Sequence, residues 1–185
     1  MNRYSTLIEI VKELQPKHVV EIGTWNGKRA ASFMGATDCY YTGFDLFEEA
    51  SKETDEKEFN VKQHFELTEV AQQLDVMGFS KYMLTRGDTN KTLWEADVAA
   101  FDFCFIDGGH SEETIRNDFL WAIENISEGG TIILDDYYNP RIEGMGCNFI
   151  VDAHTLLADE YDAEVLPQKD GLAGGGTVSL VRVET

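Results

Sequence analysis

Two kinds of apolar pattern alternate along the chain. The first is a short continuous run: "HVVEIG" from His18, "YYTGFDL" from Tyr40, "KYMLTRGD" from Lys81, "FDFCFIDGG" from Phe101 and "GTIILDDY" from Gly130. These runs are β-branched and aromatic and too short for helices, so each predicts a strand. Because they are continuous rather than alternating, they imply strands covered on both faces, as in a parallel sheet. The second pattern repeats every three to four residues. It predicts helices over "KRAASFMGA", "VKQHFELTEVAQQLDVMG" and "SEETIRNDFLWAIENI", with a short turn around "KTLWEAD". Ser111, Glu112 and Glu113 mark a helix start, and "EGG" at 128–130 a stop. "MNRYSTLIEIVKEL" predicts an amphipathic helix with Leu7, Ile8, Val11 and Leu14 on one stripe. "CNFIVDAHTLLADEY" predicts another helix, and "AEVLPQ" and "TVSLVRVE" predict two last strands. Between these strands lies "KDGLAGGG", whose glycines suit either a plain hairpin turn or a mobile lid. No repeat or linker interrupts the pattern, so residues 1–185 read as a single domain, a doubly wound α/β sheet.

Charge narrows the partners. The formal net charge is −19, a field that repels polyanions and argues against nucleic acid. Much of the acid lies in "FEEASKETDEKEF", Phe47 to Phe59, which reads as a solvated helical face. No apolar run approaches the roughly 20 residues of a membrane span. Glu9 and Glu13 interrupt any signal-type core, so a cytoplasmic location is expected. Cys39, Cys104 and Cys147 are odd in number and widely spaced, which suits buried free thiols in a reducing compartment.

Candidate chemistry sits at the strand ends, where such sheets bind ligands. The five runs end at Glu21 with Gly23, at Asp45, at Asp88, at Asp107, and at Asp135 with Asp136. Capping explains one such acid more easily than five. The first turn reads E-x-G-x-x-x-G through Glu21, Gly23 and Gly27, with an acid where a pyrophosphate would be repelled. A nicotinamide-dependent oxidoreductase is therefore the poorer enzyme reading. The ligand should be cationic or zwitterionic and carry hydroxyls for Asp45, about 20 residues on, to accept from. S-adenosylmethionine meets those demands with a sulfonium, an ammonium and a ribose.

These residues resemble the class I S-adenosylmethionine-dependent methyltransferases along nearly the whole chain. The resemblance implies that the turn "EIGTWNG" binds the cofactor through Glu21, Gly23, Thr24 and Gly27. It implies ribose contact at Asp45, adenine contact at Asp88 and Thr89 of "RGDT", and contact with the methionine part at Asp107. Trp25 and Asn26 depart from the commoner glycine-rich turn. "DGGHSEE", Asp107 to Glu113, is similar to the D-G-x-H-S-Y-E pattern of small-molecule O-methyltransferases, with Glu112 in place of the tyrosine. The resemblance also implies a seven-stranded sheet in the order 3-2-1-4-5-7-6 with an antiparallel last strand.

Asp107, Asp135 and Asp136 end adjacent strands and are hard oxygen donors. Similar metal-dependent O-methyltransferases hold a divalent ion such as Mg²⁺ at the matching positions, where it would activate an acceptor hydroxyl. Neighbouring aspartates on one strand point to opposite faces, so both ligate only beyond the strand's end. His110, at a helix start, is the candidate base, or else a cofactor contact or turn cap. His18, His64 and His154 read as packing or surface residues. Tyr137, Tyr138, Arg141 and Met145 are candidates for the acceptor pocket. The expected activity is methyl transfer to a hydroxyl of a small molecule, such as a sugar or natural product. A non-catalytic S-adenosylmethionine-binding module is the alternative from another class, and a homodimer stays open.

Overall fold

The computed structural model describes residues 2–60, 63–154 and 161–185. The five apolar runs form parallel strands: β1 (His18–Ile22), β2 (Tyr40–Asp45), β3 (Tyr82–Arg86), β4 (Phe101–Ile106) and β5 (Ile126–Asn139). With β6 (Asp162–Gly171) and β7 (Thr177–Glu184) they make one sheet ordered β3-β2-β1-β4-β5-β7-β6. β7 runs antiparallel to both β5 and β6. Parallel pairing requires crossovers. These are supplied by α2 (Lys28–Ala36), α4 (Leu67–Val76), α5 (Thr89–Glu95) and α6 (Glu112–Asn125). The remaining helices are α1 (Arg3–Leu14), α3 (Lys52–Glu58) and α7 (Asn148–His154).

Both faces of the sheet are covered, as the continuous runs require. Every residue of β1 is buried. Val20 and Ile22 join Cys104 and Ile106 on the face packed by α6, where Trp121 stacks on Phe101 at 5.4 Å between ring centroids. Val19, Phe103 and Phe105 face α1, α2 and α4, with Phe33 of α2 edge-on to Phe103 and Phe105 at 6.1 and 6.2 Å. The three cysteines are buried free thiols. Among the described residues no helix is long and apolar enough to cross a membrane.

Several boundaries differ from the pattern. The helix expected from Val61 begins at Leu67, because Glu66 and Glu69 form a capping box there; residues 61–62 lie outside the described residues. "KTLWEAD" belongs to a true helix, α5, whose N-cap Asp88 accepts from the Asn90 amide. α6 stops at Asn125, and "EGG" lies inside β5, where the pairing with β4 shifts register. "CNFIVDAHTLLADEY" is helical from Asn148 to His154, and residues 155–160 and the His154 side chain lie outside the described residues. "KDGLAGGG" is a hairpin turn, closed by the Leu172 amide donating to Gly176 O at 3.1 Å.

Phe33→Ala should cost about 3–5 kcal/mol, because it empties the contact between α2 and β4. Urea unfolding should show a lower midpoint at an unchanged slope.

Candidate active site

Asp45, Asp88 and Asp107 stand at or just past the ends of β2, β3 and β4, and Glu21 is the last residue but one of β1. The fifth run does not end at its acids: β5 continues to Asn139, and Asp135 and Asp136 lie at a bulge within it, level with the end of β4. The acids thus collect at one edge of the sheet. Their environments then separate them. Asp45 lies between the turns that follow β1 and β2. Its Oδ2 accepts from the Trp25 amide at 2.7 Å and its Oδ1 from the Phe47 amide at 2.8 Å. Asp88 caps α5. Asp107 follows β4, and its Oδ2 meets Arg29 Nη1 at 2.7 Å. Gly23 lets β1 and β4 end this close together. Its φ is +97°, and a Cβ there would lie 2.0 Å from the Asp107 carbonyl oxygen.

Gly23, Asp45, Asp88, Thr89, Asp107 and His110 line a single cleft, roofed by α3 with Asn60 and His64. A second cleft shares Gly23, Trp25 and Asp107 and continues beneath α1 past Tyr4, Leu7 and Arg29. Thr24 faces that second cleft. Glu21 and Gly27 line neither cleft. Gly27 sits at φ +72° against α4, where a Cβ would be 2.7 Å from Val70. Glu21 is wholly buried. Its carboxylate accepts from Arg29 at 3.2 Å and from the Tyr41 hydroxyl, so it holds the framework rather than the ligand. Burial pushes Glu21 up to about 7, against the pull of Arg29 and Tyr41.

The glycine turn offers no nest for a phosphate. Gly23 and Thr24 donate their amides to Phe44 O, and Trp25 donates to Asp45. Gly27 donates to Thr24 O, and Lys28 to Asn26 Oδ1. Those donors are committed inside the protein, whereas a pyrophosphate needs them pointing at the ligand.

The trio Asp107, Asp135 and Asp136 does not have the form of a metal site. Asp135 Oδ2 accepts from the Tyr4 hydroxyl at 2.6 Å and from Arg3 Nη2 at 3.1 Å, and its Oδ1 accepts from the Asp136 amide at 2.8 Å. Asp107 is paired with Arg29, and Asp136 Oδ2 lies 3.7 Å from His110 Nε2. A bulge frees Asp136 from strict alternation, with φ +69° and a register shift between Leu134 and Tyr137. The two arginines already supply the positive charge that a divalent ion would bring, and these residues do not fit one as arranged. Among the described residues no group of three or more His, Cys, Asp and Glu side chains is set to hold a metal. Burial raises Asp135 and Asp136 above the usual carboxylate range, and mutual repulsion with Asp107 adds to it. For Arg29, burial weakens its hold on its proton, but Asp107 and Glu21 outweigh it and raise the pKa.

His110 follows the β4 turn with its Nδ1 2.7 Å from the Glu58 carbonyl oxygen. A carbonyl only accepts, so Nδ1 carries a proton, and in the neutral imidazole Nε2 is the acceptor. The acceptor-loop candidates are dispersed. Tyr138 is buried, Arg141 ties the loop after β5 to Glu112 and Asp152, and Met145 lines a neighbouring open groove that meets the cleft at Lys57 and Asn90. Sequence reasoning missed Thr54, Asp55, Glu58 and His64, which line the cleft. Asp55 Oδ1 and His64 Nε2 are 2.7 Å apart, so His64 is a roof residue rather than a packing or surface one. It also missed Arg3, Tyr4 and Arg29. The basic pair Lys28–Arg29, directly after the turn in so acidic a chain, was the available signal.

A family model described as "Methyltransferase domain" matches residues 20–137. The chain belongs to the methyltransferase domain family. Its sheet order is that of the class I S-adenosylmethionine-dependent members. Solved methyltransferases share this fold at low identity. The rRNA methylase from Streptococcus thermophilus aligns at TM-score 0.69 and 15% identity, covering 100% of this chain and 97% of that one. The O-methyltransferase TomG from Streptomyces achromogenes, solved with SAM, aligns at TM-score 0.67 and 18% identity, covering 98% and 79%. The Bacillus cereus O-methyltransferase, in complex with SAH, aligns at 0.65 and 18%, covering 98% and 80%. No curated protein matches the sequence.

One further acid in this methyltransferase is costly to ionise. Asp118 of α6 is wholly buried behind Gly108, and its Oδ2 has no hydrogen-bond partner among the described residues. Burial lifts it to about 7, despite hydrogen bonds from Thr89 and Asn117. Unfolded carboxyls release their protons near pH 4. Glu21 and Asp118 therefore bind more protons in the folded state from there up to about 7, and stability should fall as pH rises through that interval. Asp118→Asn should exceed the parent in stability at pH 8 by on the order of 1–2 kcal/mol and match it at pH 4. Urea midpoints at the two pH values check this.

Proposed function

We propose that the protein transfers a methyl group from S-adenosylmethionine to a hydroxyl of a small molecule. The observation that carries this is the chemistry of the cleft. Asp45, Asp88 and Asp107 converge beside a glycine turn whose amides are committed elsewhere, so the site suits a cation with hydroxyls and not a phosphate ester. Asp45 is oriented by the Trp25 and Phe47 amides on the wall of the cleft, where it meets the ribose. Asp88 and Thr89 border the adenine end. The amino-acid end runs to the wall shared by the two clefts, where the paired Asp107 and Arg29 offer an acceptor for the ammonium and a donor for the carboxylate.

His110 takes the proton of the acceptor hydroxyl through Nε2. Displacement at a sulfonium methyl needs alignment more than covalent help, and positioning can supply about 7–11 kcal/mol of the barrier. The net charge of −19 supports a small acceptor over nucleic acid. The reading uses no metal.

Calorimetric titration with S-adenosylhomocysteine tests the cofactor. Micromolar binding, with none of NADH, is the expected result, and no binding of the homocysteine product would overturn the reading. Asp45→Ala should weaken that binding by about 1–3 kcal/mol, roughly 5- to 150-fold in Kd. With an acceptor found by transfer of labelled methyl, His110→Ala should lower kcat by about 10²–10⁴ while leaving the Kd for S-adenosylhomocysteine nearly unchanged.

A further inference from the structure

α3 buries no residue, yet it roofs the cleft. Its firmest attachment to the body of the domain is its last residue. Glu58 Oε2 accepts from the Ser111 amide at 2.9 Å, and its Oε1 accepts from the hydroxyls of Ser111 at 3.1 Å and Thr114 at 2.7 Å. A carboxylate placed there also meets the positive end of α6. The seat is shaped for it, because a Cβ on Gly109 would lie 2.5 Å from Glu58 Oε2. As the last residue of a helix, Glu58 has a carbonyl with no intrahelical partner, and this carbonyl accepts from His110 Nδ1 at 2.7 Å.

We infer that Glu58 is a positioning residue that latches α3 over the cleft and fixes His110 with its proton on Nδ1 and Nε2 turned toward Asp136. The side chain fastens the roof and the main chain sets the tautomer. Closure over the cofactor and readiness of the base are therefore one event, and cofactor exchange requires the latch to open. This rests on His110 being the base and on the cleft holding S-adenosylmethionine.

The test compares Glu58→Ala, Glu58→Gln and Gly109→Ala with the parent. Gly109→Ala pushes the carboxylate out of its seat without altering Glu58. Three readouts apply: histidine ¹⁵N NMR for the His110 tautomer, hydrogen exchange over residues 51–60, and stopped-flow release of S-adenosylhomocysteine. In Glu58→Ala and Gly109→Ala, the Nδ1–H signature should give way to a mixture of tautomers and the α3 amides should lose protection. Release should be about tenfold faster, the effect of losing roughly one charge-assisted hydrogen bond. Glu58→Gln should fall between, since its amide oxygen still accepts from Ser111. An unchanged tautomer and unchanged exchange in both Glu58→Ala and Gly109→Ala would overturn the latch. A parent that shows the Nδ1–H signature and a protected α3, both lost in the variants, would support the latch even if it bound no S-adenosylhomocysteine. That failure would fall on the methyltransferase reading alone.

Discussion

Crowding of carboxylates at one sheet edge is the constraint from which the rest of this structure follows. Parallel strands bring their carboxyl ends together, and here Glu21, Asp45, Asp88 and Asp107 lie at or beside those ends, with Asp135 and Asp136 of β5 level with the end of β4. Like charges at such range in a partly buried site cannot all ionise without cations or donors beside them. The fold answers with a different partner for each. Arg29 spans Glu21 and Asp107, Arg3 and Tyr4 cover Asp135, and His110 faces Asp136. Two main-chain amides hold Asp45, and a helix start accommodates Asp88.

That division of partners sorts the acids by what they can do. Glu21 and Asp135 are spent on the framework, because both are buried and each of their oxygens accepts from a side chain or amide within the protein. Asp45 is oriented by the main chain on the wall of the cleft. Asp107 stands between, paired with Arg29 on a wall common to two clefts. An ion pair offered to a ligand from one side suits a zwitterion, whose two charges it can meet together. The Tyr4 ring lies between the Arg3 and Arg29 guanidiniums at 4.7 and 4.6 Å, so the first turn of α1 is part of the same electrostatic assembly.

The roof has a different physical basis. α3 is held by polar contacts at its end and buries no apolar side chain, the composition of a segment at the low end of local stability. Placing His110 against its last carbonyl ties that side chain to the element that covers the cleft. The sheet thus carries the acids, and the helix over them is fastened through one carboxylate.

Local pattern was enough to locate the strands, the crossover helices α2, α4 and α6 and the acids near the strand ends, because side-chain periodicity and turn chemistry are properties of neighbouring residues. Gly23 was likewise legible, although what comes close to it is the Asp107 carbonyl. Which acids stay available to a ligand was decided only by the tertiary structure. Arg3 and Asp135 are 132 residues apart and Ser111 and Glu58 are 53 apart, so no local signal links them. The same reason hid the inner face of the acidic run, where Asp55 and Glu58 turn inward among residues that read as solvated charge, and it let Asp107, Asp135 and Asp136 pass for a metal set. A sequence shows where charges lie along the chain. Partnership between them depends on distance in space, and here packing brings two arginines and a tyrosine from α1 and α2 onto the strand ends.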